Sequence, residues 1–426
     1  MGFLISGGLV YNGSGFSKSD ILVEGGLISK IRPHGSVNNA DTVFSFNNCF
    51  IFPGLIDVHV HLREPGYFYK ETIKTGTRAA AHGGFTTVCT MPNLKPVPDS
   101  PENLMVQQRI IDTDACIRVR PLGSITVGQG QKSLSAMEEL APYVVGFSDD
   151  GVGVADEEMM AQAMLRAKAL GKIIVAHCED SSLVKGGCIH QGDYAKYMGL
   201  PGNPSESEWR QVERDLRLVE QTGCHYHVCH VSTKESVELI RKAKAKGLPV
   251  SCETAPHYLT LSDSDLQDDG RFRMNPPIRG QEDRAALIQG VVDGTIDMIA
   301  TDHAPHSEDE KSGGLLHSLN GIVGLETAFP VVYTGLVKAG LISLQRLVEL
   351  MHTAPRQRFG IGFPLEEGQP ADLTVFDLNR EYTVDSGDFL SMGKASPFLG
   401  QKVFGKCLLT VADGKIVWKD TEISNE

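Results

Sequence analysis

Eight short runs of apolar and β-branched residues, spaced along the middle of the chain, constrain the fold more than any other feature. They are IDVHV (56–60), TTVCT (86–90), IRVRPL (117–122), VVGFS (144–148), IIVAH (173–177), HYHVCH (225–230), PVSCE (249–253) and DMIAT (297–301). Helix-like segments lie between most of them. Two examples, DEEMMAQAMLRAKALG and TKESVELIRKAKAKG, end in Gly, a common helix C-terminal signal. Strands alternating with helices imply βαβ units and a parallel sheet. Eight such units predict an α/β fold of the closed (β/α)8 TIM type. An open doubly wound sheet is the alternative, but it normally carries a glycine-rich phosphate loop after its first strand, and none is found here. The longer gaps, 180–224 and 254–296, are expected to be loops or insertions over the top of the barrel.

The two chain ends read differently. ISGGLVYNGSG and DILVEGGLISKIRP are short alternating strands and turns, and GFPLEEGQPADLTVFDLN and VFGKCLLTVADGKIVWKD in the tail resemble them. The expected organisation is a small β-sandwich built from 1–52 and 359–426, beside a catalytic barrel of 53–358. Two unrelated β extensions are the alternative, which the residues leave open.

Charge narrows the function classes. Lys and Arg number 40 against 53 Asp and Glu, a net charge of −13. Nucleic-acid and anionic-membrane binding both need a basic face, so neither partner is expected. No apolar run approaches the roughly 18 residues of a membrane span. The N-terminus lacks a positively charged segment and reads as a strand and turn rather than a signal peptide. Nine cysteines are scattered without a C-x-x-C pair, which points to reduced thiols and a cytoplasmic location.

The chemistry-bearing residues fall at the ends of these runs. His59 and His61, two apart on the first strand, share a face and can bind one metal ion. A lone strand histidine is usually a packed core residue; a pair leading straight into Leu62-Arg63-Glu64-Pro65-Gly66 is harder to read that way. Asp149 and Asp150 follow VVGFS, His177 closes IIVAH, His230 closes HYHVCH, and Asp302 and His303 follow DMIAT. Either aspartate could instead cap the next helix, and His225 and His227 read as structural. Barrel active sites lie at the C-terminal ends of the strands, and imidazole with carboxylate suits Zn2+ or a similar divalent ion.

Asp-x-His-x-His on the first strand of such a barrel, with two later histidines and an aspartate, is the signature of the amidohydrolase superfamily. Within it the chain resembles the larger bacterial type of dihydroorotase. The resemblance rests on the stretch Asp57 to Gly66, on Met91-Pro92-Asn93, Phe147-Ser148-Asp149-Asp150-Gly151, Ala176-His177-Cys178-Glu179-Asp180, Ala300-Thr301-Asp302-His303-Ala304-Pro305-His306 and Gly321-Ile322-Val323-Gly324-Leu325-Glu326. It covers nearly the whole chain, flanks included.

This resemblance implies two Zn2+ per chain, one held by His59 and His61 and the other by His177 and His230. Many relatives bridge the metals with a carbamylated lysine. Here Ser148-Asp149-Asp150 stands at that strand end, as in the branch bridged by an aspartate, and Asp150 is assigned the bridge ahead of Asp149. Asp302 is implied as both ligand and acid/base group, acting with hydroxide generated at the metals. Arg63 and Asn93 are implied to grip the substrate carboxylate, with Asn275 and His306 completing the pocket. A planar Arg fork suits a carboxylate; a surface salt bridge for Arg63 and a turn role for Asn275 are the plainer readings. The segment from His306 to His317 lies where relatives carry a mobile loop, and its later half departs from their pattern.

The implied reaction interconverts N-carbamoyl-L-aspartate and L-dihydroorotate in pyrimidine synthesis, by a homodimer with aspartate transcarbamoylase as a candidate partner. Hydantoinase, dihydropyrimidinase and allantoinase are the rival activities. Arg63 and Asn93 argue against substrates lacking a carboxylate, and the missing lysine argues against the carbamylated branch. A third reading is an inactive scaffold for aspartate transcarbamoylase, but such chains usually lose ligands and every expected ligand is present.

Overall fold

The computed structural model describes residues 2–37 and 42–424. Each apolar run contains a strand: β1 (Leu55–Val60), β2 (Phe85–Thr90), β3 (Arg118–Pro121), β4 (Gly146–Phe147), β5 (Ile173–Ala176), β6 (Tyr226–Val228), β7 (Val250–Thr254) and β8 (Met298–Ile299). All pairings are parallel, with β1–β3 in one sheet and β4–β8 in another. Parallel bridges link the two sheets at both edges, Gly123 with Phe147 and Val60 with His303. The His61 amide also donates to the His303 carbonyl at 2.8 Å. Backbone groups that an open edge would leave unpaired are thereby satisfied.

Side chains alternate along these strands. Ile174, Ala176 and Ile299 pack in the main apolar cluster with the helices, whereas Ile173, Val175, Met298 and Ala300 join Cys89 and Met91 in another. That is the period of two a strand imposes.

The crossovers are helical for local reasons. Asp156 caps the helix Glu157–Ala169 by accepting from the Met159 amide, and Thr233 caps Lys234–Ala245 by accepting from the Ser236 amide. Such caps stabilise a helix by about 1 kcal/mol. Beyond the ends lie Gly171 (φ 66°) and Gly247 (φ 75°), in the left-handed conformation that glycine adopts freely. The gaps 180–224 and 254–296 are more than loops: they contain the helices Glu206–Thr222 and Gln281–Asp293. The first is rich in charge and buries a stripe of Val212, Leu216 and Val219 at helical spacing. Each such buried side chain contributes about 1.5–3 kcal/mol, so Val219→Asp would detach it.

Strands from both chain ends share one eight-stranded sheet. Phe50–Pro53 pairs antiparallel with Leu373–Thr383, Leu373 opposite Pro53 and Phe376 opposite Phe50. The sheet has its own apolar cluster, including Ile5, Ile21, Ile51, Leu373 and Leu409. Its strand Phe50–Pro53 runs almost directly into β1, so the flanking sheet anchors the strand that carries the histidine pair. All nine cysteines are free thiols, and eight are buried. Among the described residues no helix is long and apolar enough to cross a membrane.

Candidate active site

The six expected ligands lie at the C-terminal ends of parallel strands, and all are buried. His59 and His61 come from β1, Asp150 from beyond β4, His177 from β5, His230 from β6 and Asp302 from β8. The Asp150 carboxylate is their hub. Its Oδ1 lies 3.4 Å from His59 Nε2, 3.6 Å from His177 Nδ1 and 3.7 Å from His230 Nε2, while Oδ2 lies 3.5 Å from His61 Nε2. Asp302 Oδ1 is 3.4 Å from His59 Nε2 and 3.1 Å from His61 Nε2. His177 Nδ1 and His230 Nε2 are 2.9 Å apart.

The chain turns sharply where these side chains leave their strands. Arg63 (φ 61°), His230 (φ 32°) and Asp302 (φ 49°) all have positive φ. For residues other than glycine this costs about 1–3 kcal/mol each and persists where surrounding contacts enforce it. Asp57 supplies one such contact. Its buried carboxylate accepts the His59 amide (3.0 Å) and the Thr301 amide (3.1 Å), tying the end of β1 to the end of β8.

The cluster fits divalent cations. His59 Nε2, Asp150 Oδ1 and His177 Nε2 are buried without a hydrogen-bond partner. Two sets of donor atoms, His59/His61/Asp302 and His59/Asp150/His230, each lie within 4.8 Å of one another. Burial pushes His59 toward the neutral form, but the Asp150 and Asp302 carboxylates outweigh it and raise its pKa well above the ordinary value. Burial opposes charge on Asp150 as well, and the facing imidazoles reverse this and hold the carboxyl well below its usual range. The centre therefore favours positive charge among nitrogen and oxygen donors, the set that suits zinc.

Asp149 and Asp150 have separate tasks. Asp149 accepts the Ile125 amide (2.8 Å), the Thr126 amide (3.2 Å) and the Thr126 hydroxyl. Its oxygens brace the preceding loop, and only Asp150 faces the histidines.

A cavity of about 190 Å3 opens onto this centre, lined by His61, Arg63, Asn93, Asp150, His177, His230, Asn275 and Asp302. Arg63 Nε donates to the Pro305 carbonyl (3.1 Å), and among the described residues the guanidinium has no carboxylate partner. Asn93 sits between His61 Nδ1 (2.8 Å to its Oδ1) and Asp150 Oδ2 (3.3 Å from its Nδ2), so its amide orients two ligands. Asn275 donates to Glu179 (2.7 Å). His306 does not line the cavity. Its Nε2 meets Arg63 (3.3 Å) and the Asn320 carbonyl (2.8 Å), and its Nδ1 meets Glu310 (3.1 Å). Burial, together with the Arg63 and Lys70 cations, pushes its pKa down to about 3.

The segment after His306 folds into two short helices, Glu308–Lys311 and Gly314–His317. It is pinned from two sides. Glu310 pairs with Lys70 (2.9 Å), and the buried Lys311 ammonium donates to the carbonyls of Arg273 (2.9 Å), Leu319 (2.7 Å) and Gly321 (2.7 Å).

Glu253 is the site residue the sequence reading misses. It is buried on β7, 2.7 Å from His59 Nδ1 and 3.0 Å from His227 Nε2. Burial opposes its charge, but the two imidazoles hold the carboxyl well below its usual range. A charged residue inside the apolar run PVSCE was the available signal.

Four imidazoles and two carboxylates gathered at the ends of parallel strands, in a mixed α/β fold with a flanking sheet, form a cluster that could hold a metal ion, the arrangement expected of the amidohydrolase class. Comparisons with known proteins narrow it. A family model described as Dihydro-orotase-like matches residues 49–236. Curated proteins named Dihydroorotase from Bacillus cytotoxicus and Bacillus cereus are each 48% identical over 423 residues, covering 98% of this chain and 99% of theirs. Among solved structures, an L-hydantoinase (dihydropyrimidinase) from Arthrobacter aurescens superposes with a TM-score of 0.87 at 27% identity, covering 99% of this chain and 97% of its own. The chain belongs to the dihydroorotase family.

Proposed function

We propose that this chain is a zinc-dependent dihydroorotase that interconverts N-carbamoyl-L-aspartate and L-dihydroorotate in pyrimidine synthesis. The observation that carries this reading is a cavity that opens onto the six-residue donor cluster and is lined by an Arg63 guanidinium with no carboxylate partner among the described residues. The names of the curated relatives agree with it. The framework in this reading is a closed (β/α)8 barrel over 53–358 with a β-sandwich domain from 1–52 and 359–426. Bridges at both sheet edges support the closure, and the pairing of Phe50–Pro53 with Leu373–Thr383 supports the shared flanking domain.

His59, His61, Asp150, His177, His230 and Asp302 would hold two Zn2+, and Asp150 is the carboxylate that faces all four imidazoles. Bound there, the ions would lower the pKa of a water from about 16 to about 7 and polarise the amide carbonyl. Asp302 takes the proton from the attacking water and passes it to the departing ring nitrogen. In synthesis it runs the other way, taking the ureido proton as nitrogen closes on the side-chain carboxyl carbon and water leaves. Arg63 grips the substrate carboxylate through its planar fork, His306 steadies that fork, and Asn275 and Asn93 line the same cavity.

Turnover of L-dihydroorotate beside hydantoin and allantoin tests the reading. Dihydroorotate should be the preferred substrate by a wide margin, and preference for either of the others would place the chain with the neutral cyclic amides.

A further inference from the structure

A buried polar column runs from the ligand cluster through the strands to the other end of the bundle. Glu253 Oε1 meets His59 Nδ1 at 2.7 Å, and its Oε2 meets His227 Nε2 at 3.0 Å. His227 Nδ1 meets Ser251 Oγ at 2.8 Å, and Ser251 Oγ accepts from Arg358 Nε at 2.8 Å. His59 and His227 are wholly buried, and Glu253 and Ser251 nearly so. Arg358, on the helix Ala354–Phe359, also donates to the carbonyls of Pro249 (2.7 Å) and Tyr226 (3.2 Å).

Donor and acceptor arithmetic gives the column a direction. A guanidinium only donates, and an ionised carboxylate only accepts. The Glu253 carboxylate 3.0 Å from His227 Nε2 calls for an N–H there, and Ser251, which accepts from Arg358, can give its own proton to His227 Nδ1. Glu253 accepts from that N–H and from His59 Nδ1–H. With a cation in the cluster, His59 keeps its Nδ1–H and offers the lone pair on Nε2, the atom that faces Asp150 and Asp302. The opposite tautomer would set a carboxylate against a lone pair at 2.7 Å and aim an N–H into the cluster.

We infer that Glu253 is the positioning residue that fixes the metal-binding tautomer of His59, and that His227, held by Ser251, keeps the Glu253 carboxylate in place from behind. This rests on the reading of the centre as a divalent-cation site. Glu253 also accepts from the His230 amide (3.4 Å), so it braces a second ligand.

The test is zinc affinity of the full-length chain, measured by competition with a chromogenic chelator, with circular dichroism melting alongside. Glu253→Gln should weaken zinc binding by about 10- to 100-fold, the usual effect of removing a partner that orients a ligand. Ser251→Ala should act in the same direction and less strongly. Thr254→Val, on the same strand as Glu253, removes a hydroxyl bonded to the Val231 carbonyl of the neighbouring segment and should leave affinity unchanged. Parent-like affinity in Glu253→Gln would overturn the inference. If that variant does not fold, parent-like affinity in Ser251→Ala overturns it instead. A parent chain that binds no zinc would overturn the cation-site reading, and this inference with it.

Discussion

Arg63 sets its guanidinium 3.3 Å from His306 Nε2 and, among the described residues, has no carboxylate within ion-pair distance. Arg63 is half-buried, and taking a cation even partly out of water without an anion is costly. Burial indeed lowers the Arg63 pKa, while the more distant Asp302 and Asp150 partly restore it. A ligand carboxylate would complete the pair. Arg63→Met should raise KM for dihydroorotate about 10- to 100-fold, in line with about 1.5–3 kcal/mol for a charged hydrogen bond. Metal analysis of the same sample should match the parent; loss of metal instead would remove the clamp assignment.

Asp302 hydrogen-bonds His61 and faces His59, and its side chain lines the cavity. A positioned proton carrier contributes about 10^2–10^4 in rate. Asp302→Ala should lower kcat by at least that much in zinc-supplemented buffer, with an unchanged circular dichroism spectrum. Near-normal turnover would exclude Asp302 from the proton transfer.

The neighbours Asp149 and Asp150 should separate by phenotype. Asp149→Asn disrupts a carboxylate that accepts from two backbone amides and the Thr126 hydroxyl. It should cost about 1–3 kcal/mol of stability while zinc is retained. Asp150→Asn should lose zinc and keep most of the stability of the zinc-free parent. Urea unfolding and metal analysis on both variants distinguish the two roles, and zinc loss in Asp149→Asn alone would reverse the assignment.

His352 makes acid sensitivity testable away from the metal cluster. Burial pushes its pKa down to about 4, against a bond to the Gly54 carbonyl (2.8 Å) and with help from Arg356. Unfolded, the ring titrates near 6.5, so between about 6.5 and 4 the unfolded chain holds a proton that the fold excludes. Its contribution is whole above pH 6.5 and is lost on acidification, by up to about 1.4 kcal/mol per pH unit. Urea unfolding at pH 7 and pH 5 should show a smaller loss for His352→Gln than for the parent. An identical pH slope would mean His352 carries none of it.

What could be read in the sequence follows from how locally each feature is encoded. The strands carrying His59, His177, His230 and Asp302 are legible because apolar runs and turn residues mark them without reference to the rest of the chain. Asp150 needed the family resemblance, since nothing in Ser148-Asp149-Asp150 says which carboxylate turns inward; the bonds from Ile125 and Thr126 to Asp149 decide that. The helix Glu206–Thr222 was hidden by its charge, as its apolar stripe is narrow. Glu253 was hidden because its partners, His59 and His227, come from other strands. His306 and Asn93 were expected at the substrate; the sequence does not say that His306 lies against Arg63 outside the cavity lining or that the Asn93 amide is committed to His61 and Asp150.

Zinc content and L-dihydroorotate hydrolysis, measured on one purified sample before and after chelation, probe the proposed chemistry most directly. Close to two zinc ions per chain are expected, with hydrolysis abolished by stripping and restored by added zinc, as follows if the ions activate the water. Hydrolysis that survives complete removal of metal, or a zinc-loaded chain inert toward dihydroorotate, would contradict it.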